Sequence, residues 1–299
     1  MPRSQAIFAD TLLADFDVVA PAEQRVPFVF DSPHSGRVYP AEFLAASRLD
    51  ERTIRRSEDT HVDTLFLSVV PLGAPLMLAH FPRAWLDVNR EPYELDPTMF
   101  DGALPPYCNV RSPRVAGGLG TIARIVSENV EIYRGPQPVE AALRRIEAVY
   151  KPYHARLTAL MEATRRRFGY AVLVDCHSMP SSVRALPGHV RADFVLGDRY
   201  GASAAPSIVE GAAAILTGLG YSVARNKPYA GGFITEHYGR PAKGLHALQI
   251  EINRALYMNE RTLLPNADFA RVAADMAAFA RALFELPDSG LWSLPLAAE

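Results

Sequence analysis

The stretch VLVDCHSMPSS, residues 172–182, decides how the rest of the chain is read. It opens on an unbroken aliphatic run, the pattern of a strand buried on both faces, and such strands belong to parallel sheets covered by helices. Asp175, Cys176, His177 and Ser178 follow without a gap, and Pro180 breaks the run. A buried strand that ends on an acid, a thiol, an imidazole and a hydroxyl either simply stops there or carries a metal ligand to the edge of a sheet.

The flanking sequence supplies the sheet. After a helical-looking N-terminal arm, VPFVFDSPHSG reads as a short strand near residues 28–30, broken by Pro33 and Gly36. VDTLFLSVVPLGAP reads as a short amphipathic helix ending at Pro71 and Gly73, and PLMLAHF and AWLDVNR as two more short strands. Residues 91–138 are rich in proline and glycine and sustain no period, which suggests a lid-like insertion. Leu143, Ile146, Tyr150, Tyr153, Leu157 and Leu160 then recur at helical spacing, with Pro152 placed to kink or divide the helix. ADFVLGD, YSVARN and HALQIEIN read as strands, with a helix around 207–216 between the first two and a last helix over about 266–286. This alternation predicts an α/β fold, a single domain over residues 1–299 with a mixed, mainly parallel sheet flanked by helices on both faces.

Bulk composition bounds the function classes. The 299 residues are 49% hydrophobic and 21% charged with a formal net charge of -2, so no nucleic-acid or acidic-membrane partner is expected. No apolar run reaches the roughly 20 residues of a membrane span, and residues 1–17 place acids where a secretory signal would be apolar. Cys108 and Cys176 are the only cysteines, so no disulfide framework is expected. The expected compartment is the cytoplasm and the expected partner a small molecule. The oligomeric state is not legible.

Ligands of open α/β sheets bind outside the carboxyl ends of the strands, and the polar exceptions to the buried pattern collect there. Asp31 and His34 follow one strand, Asp87, Asn89 and Arg90 close a second, and Asp175 and His177 close a third. In HALQIEIN, Gln249, Glu251 and Asn253 share one face opposite Leu248, Ile250 and Ile252. An ionised Glu in such a strand costs several kcal/mol unless it is paired or faces a wet cavity. Two histidines, a carboxylate ligand and a further carboxylate are the parts of a catalytic zinc site. His34 and His177 are the two of the eight histidines that follow strands directly. RRSEDTHVDTLF offers the acidic ligand, with Glu58, Asp59, His61 and Asp63 close together; a helix starting there would present Asp59 from its first turn.

SPHSG, EDTHVDTLF, DVNREP, DCHSMPS, GGFITEHYG and HALQIEINRALYM, taken in order, resemble the N-formylglutamate amidohydrolases over almost the whole chain. More distantly the arrangement is similar to the zinc carboxypeptidases, whose order is a ligand histidine, an Asn-Arg pair, a His-Ser ligand motif and a late catalytic Glu. The resemblance implies a carboxypeptidase-like fold, one Zn2+ per chain held by His34, Asp59 and His177, a substrate-binding pair Asn89 and Arg90, and Glu251 as general base. Where carboxypeptidases carry the acidic ligand three residues after the first histidine, this chain has Arg37. The family resemblance implies an acidic ligand from SEDTHVD instead, with Asp59 expected and Glu58 and His61 as alternatives.

The implied reaction is zinc-dependent hydrolysis of the N-formyl amide of an acidic amino acid, giving glutamate and formate from N-formylglutamate. A glutamyl group has two carboxylates, so a second cation is expected among Arg37, Arg83 and Arg184. Residues 228–244, flanked by glycines, read as a flap from which His237 or Tyr238 could donate to the oxyanion. Asp175 and Asp31 are expected to orient the ligand imidazoles, and Cys176, on the opposite side of the strand from His177, to be a small core residue. The alternatives are a related metallo-hydrolase acting on another N-acyl amino acid or a peptide C-terminus, and a non-catalytic binder of a carboxylate metabolite.

Overall fold

The computed structural model describes residues 14–182 and 191–286. Arg184, one of the candidate second cations, and most of the N-terminal arm lie outside the described residues. The chain gathers into two compact units of interleaved sequence. One comprises Val18–Ser32, Asp59–Met77 and Thr158–Glu299, the other Met1–Asp17, Pro33–Glu58 and Leu78–Leu157.

Among the described residues the strands in chain order are β1 (Phe16–Val19), β2 (Phe28–Ser32), β3 (Leu76–Ala79), β4 (Ile125–Ser127), β5 (Val130–Glu131), β6 (Ala171–Met179), β7 (Phe194–Gly197), β8 (Val223–Arg225), β9 (Leu245–Asn253), β10 (Met258–Asn259) and β11 (Leu264–Pro265). Seven of them form one sheet in the order β1-β3-β2-β6-β9-β7-β8. β6 runs parallel to both β2 and β9, β7 is antiparallel to β9, and β8 is parallel to β7. The sheet is thus mixed and mainly parallel, as the alternation predicts.

β6 is buried at all nine of its positions, which is why its sequence is aliphatic on both sides. The register aligns Phe28 with Val172, Phe30 with Val174 and Asp31 with Asp175. Side chains alternate between faces, so Phe28, Phe30, Val172, Val174 and Cys176 line one side of the sheet. That side is apolar: Phe28 and Phe30 lie 4.9 and 6.0 Å from the Phe284 ring of the helix Phe269–Phe284. This helix buries Val272, Met276, Phe279, Ala280 and Leu283, a stripe at helical spacing, and packs against the helices Pro206–Gly218 and Val62–Phe66. Asp31, Asp175 and His177 fall on the opposite side.

Three expectations are corrected. AWLDVNR is not a strand. The Pro82 carbonyl accepts from the amides of Trp85 and Leu86, and Asp87 Oδ1 accepts from the Asn89 amide at 2.9 Å. These local closures take up the amides a strand ladder would need, so the apolar run is buried as turns. The helix expected from SEDTHVD begins only at Val62, behind His61 in the left-handed region at φ 70°. Asp59 therefore precedes the helix and is not part of its first turn. β6 runs on to Met179, so His177 lies inside its strand and not after it.

The long helix is divided as Pro152 requires. Val139–Arg145 and Lys151–Phe168 are joined by a π-helical segment, Ile146–Tyr150. Proline has no amide to donate and its ring crowds the carbonyl four residues back, so a widened turn ahead of it relieves the clash.

In the second unit, residues 91–138 hold the short helix Pro113–Ala116, capped by Ser112 Oγ on the Val115 amide at 3.1 Å, and the β4–β5 ribbon. The Phe43 and Tyr133 rings meet edge to face at 5.8 Å, and Phe81 and Tyr153 at 6.1 Å. Gly36 of SPHSG sits where a Cβ would meet the Phe81 carbonyl and the His80 backbone, so only glycine lets the chain leave the turn this closely. Among the described residues no helix is long and apolar enough to cross a membrane.

Candidate functional site

On the polar side of the sheet, β6 and β9 pair Asp175 with Gln249 and His177 with Glu251. Adjacent parallel strands lie about 4.8 Å apart, so these four polar side chains form a compact patch on the sheet. All four are buried. The His177 ring is held from both ends: Nε2 lies 2.8 Å from Asp175 Oδ1, and Nδ1 lies 3.0 Å from Asp59 Oδ2. Burial alone would depress the imidazole, but the carboxylates of Asp175, Asp59 and Glu251 outweigh it and raise its pKa well above the ordinary value.

Asp59 owes its place to a residue whose role sequence reading missed. Arg254, buried just beyond β9, donates through Nη2 to Asp59 Oδ1 at 3.0 Å and through Nε to Ser178 Oγ at 3.1 Å. Ser178 in turn donates to Asp59 Oδ1 at 3.1 Å. One Asp59 oxygen is thereby engaged by this closed ring of hydrogen bonds and the other faces His177. The signal was present in the quoted string HALQIEINRALYM, as a guanidinium placed directly after a buried strand.

In the other unit, His34 Nε2 lies 2.8 Å from Asp87 Oδ1. The carboxylate bonded to the first histidine is thus Asp87, where Asp31 was expected. Asp87 also takes Arg83 Nη2 at 2.8 Å and lies 3.7 Å from Arg90 Nη2. Burial would raise this carboxyl, but Arg90, Arg83 and His34 hold it well below the usual carboxylate range. A depressed folded pKa means stability that is complete above the unfolded value of about 4 and lost as pH falls through the lower folded value. Asp87→Asn is expected to destabilise the chain near neutral pH and to flatten the acid limb of its stability curve. Thermal midpoints measured from pH 2 to 6 check this; an unchanged slope would contradict it.

Arg90 is anchored before any substrate arrives, with Nε donating to the Leu119 carbonyl at 2.8 Å and Nη1 to that of Asn89 at 2.8 Å. Burial lowers its pKa, and the facing Asp87 opposes that effect. Glu58 belongs to an ion pair of its own, bonded by Arg55 Nε at 2.9 Å and by the Tyr39 hydroxyl at 2.5 Å. His61 Nε2 lies 3.0 Å from the Leu263 carbonyl. Cys176 is buried on the apolar side, and burial, then Asp175 and Asp31, push its thiol well up, so it stays protonated.

Residues 228–244 contain the helix Phe233–Tyr238, which packs on β9 and β6. His237 is exposed and stacks on Phe233 at 5.0 Å, while the buried Tyr238 hydroxyl lies 3.4 Å from Thr158 Oγ1. Burial, and then Arg240, lower the His237 imidazole; burial raises the Tyr238 phenol.

The donor chemistry of Asp59 and His177 fits a metal ion. Each engages a supporting group with one atom and turns the other toward its neighbour, the arrangement in which a carboxylate-backed imidazole ligates. Two ligands of a tetrahedral zinc lie about 3.3 Å apart, against 3.0 Å between His177 Nδ1 and Asp59 Oδ2. Asp31, Asp175 and Glu251 are buried on the same side of the sheet, and Arg254 is bonded to Asp59.

The sequence profile of N-formylglutamate amidohydrolase matches residues 26–258. A Pseudomonas aeruginosa protein named N-formylglutamate deformylase is 32% identical over 263 residues, 87% of this chain and 90% of the relative. A Pseudomonas putida protein of the same name is 30% identical over 239 residues, 79% of this chain and 83% of the relative. The crystal structure of N-formylglutamate amidohydrolase from Ralstonia eutropha superposes with a TM-score of 0.86 at 37% identity, covering 91% of this chain and 98% of the other. With a profile that spans both the strand carrying His177 and the strand carrying Glu251, and relatives alike over most of their length, this chain belongs to the N-formylglutamate amidohydrolase family.

Proposed function

We propose that the chain is a zinc-dependent amidohydrolase that cleaves N-formylglutamate to glutamate and formate, with one cation held by His34, Asp59 and His177. The observation that carries this reading is the register pairing of His177 with Glu251, which sets an acid beside a candidate ligand on the buried polar side of the sheet. His34 follows β2 by two residues, and His177 lies two residues past Asp175, the register partner of Asp31. The carboxylates behind the imidazoles, Asp87 and Asp175, support ligation through Nδ1 in both.

An amide is a weak electrophile with a poor leaving group. The cation, when bound, supplies Lewis acidity that acidifies water and polarises the formyl carbonyl. The chain's own groups do the rest. Glu251 accepts a proton from the attacking water and returns it to the departing amine nitrogen, which a carboxylate can do in both directions near neutral pH. Arg90, held in place by the Leu119 and Asn89 carbonyls, grips a substrate carboxylate together with Asn89, and this positioning lowers the entropic part of the barrier. Arg37, Arg83 and Arg184 are the candidates for the second carboxylate, with Arg83 already giving one N–H to Asp87. Tyr238 or His237 donates to the oxyanion as residues 228–244 close over the substrate.

The test is to purify the chain without added metal, measure its metal content, and assay formate release from N-formylglutamate beside N-acetylglutamate and short peptides. The expected result is a zinc-bound chain that releases formate, loses the activity to a chelator and regains it with zinc. Activity confined to longer acyl groups or to peptides would overturn the substrate, and binding without hydrolysis would overturn the enzyme.

A further inference from the structure

Gln249 is buried beside Glu251 on β9, and neither the metal ligands nor the substrate grip makes use of it. Its side-chain oxygen accepts from the Gly232 amide at 2.9 Å and from Thr235 Oγ1 at 3.4 Å. A backbone N–H can only donate, so that contact settles which end of the amide is oxygen. The nitrogen end is thereby turned to Glu251, where Nε2 donates to Oε1 at 2.9 Å. Both donors to the oxygen come from residues 228–244, at the start of the helix Phe233–Tyr238. That start is seated closely against the end of β7: a Cβ on Gly197 would lie 2.6 Å from the Gly231 amide nitrogen.

Resting on the reading of Glu251 as the base, we infer that Gln249 is a positioning residue that ties the orientation of Glu251 to the docking of residues 230–235. With the segment docked, Gly232 and Thr235 hold the amide oxygen, the amide nitrogen holds one carboxylate oxygen, and the base is aimed. With the segment lifted, the amide can rotate, and Glu251 loses the Gln249 donor that aims it. Closure over the substrate and readiness of the base are then one event, which limits proton transfer to the covered site.

The experiment compares Gln249→Leu, Gln249→Glu and Glu251→Gln in the zinc-loaded full chain, with N-formylglutamate as substrate. Gln249→Leu is expected to lower kcat about tenfold to a hundredfold, to leave KM within about twofold and to leave the zinc content unchanged. Gln249→Glu keeps acceptors for Gly232 and Thr235 but offers Glu251 no amide donor. Because two buried carboxylates would then face each other, it is expected to melt below the parent and to lose at least about tenfold in kcat at pH 8, and it serves as the test if the leucine variant does not fold. In the Glu251→Gln background, Gln249→Leu is expected to change kcat by less than about twofold, because its effect runs through Glu251. An equal loss in that background, a loss confined to KM, or full activity in either Gln249 variant of an active parent would overturn the inference alone. A parent that releases no formate would overturn the proposed function and this inference with it.

Discussion

Glu251→Gln is expected to leave zinc content and fold intact and to lower formate release by about a thousandfold. Glutamine has the shape of glutamate, and at this position it can still bond the Gln249 amide through its own oxygen. It cannot accept a proton from water. The substitution therefore removes one function and little else, which keeps the expected loss in kcat. The neighbouring His177 reports on the change independently. Glu251 is one of the three carboxylates that raise the imidazole, so in the metal-free variant the histidine should titrate lower than in the parent. Turnover is read with saturating N-formylglutamate, zinc by elemental analysis, and the imidazole by NMR titration. A variant as active as the parent would remove the proposed mechanism.

His177→Ala is expected to weaken zinc binding by at least about a hundredfold and to reduce formate release to background. The reason lies in what the ring separates. Asp175 is on one side at 2.8 Å and Asp59 on the other at 3.0 Å, both in the buried set. Removing the imidazole takes away a ligand and leaves two acids with a cavity and one cation fewer between them. Breaking a buried ionic contact of this kind costs about 3–5 kcal/mol, so the metal-free variant should also melt at a lower temperature. Equilibrium dialysis against zinc and thermal unfolding in a chelator separate the two effects. One zinc per chain retained by the variant would contradict the role of His177 as a ligand.

Much of this architecture was legible because burial writes itself into sequence. The apolar runs at 172–174 and 194–196 and the stripe Val272, Met276, Phe279, Leu283 are patterns that only a covered sheet and an amphipathic helix explain, and each is found where its period placed it. Pro152 marked the division of the long helix, since the missing amide acts within one turn. AWLDVNR was misread for the opposite reason. Its apolar residues are as buried as a strand's, but Pro82 and Asp87 close turns with the amides, and burial alone does not distinguish the two.

The candidate site divides along the same line. His177 and Glu251 stood out in sequence because a charge in an apolar strand needs a reason, and the alternation of a strand tells which neighbours share its face. Which acid lies behind each imidazole, that Arg254 reaches back across 195 residues to hold Asp59, and that Gln249 turns its nitrogen to Glu251 were decided only by tertiary structure. Periodicity reports whether a side chain is covered. Hydrogen bonds between residues far apart in the chain depend on the register of strands and the path of loops, and nothing in the local pattern carries that information.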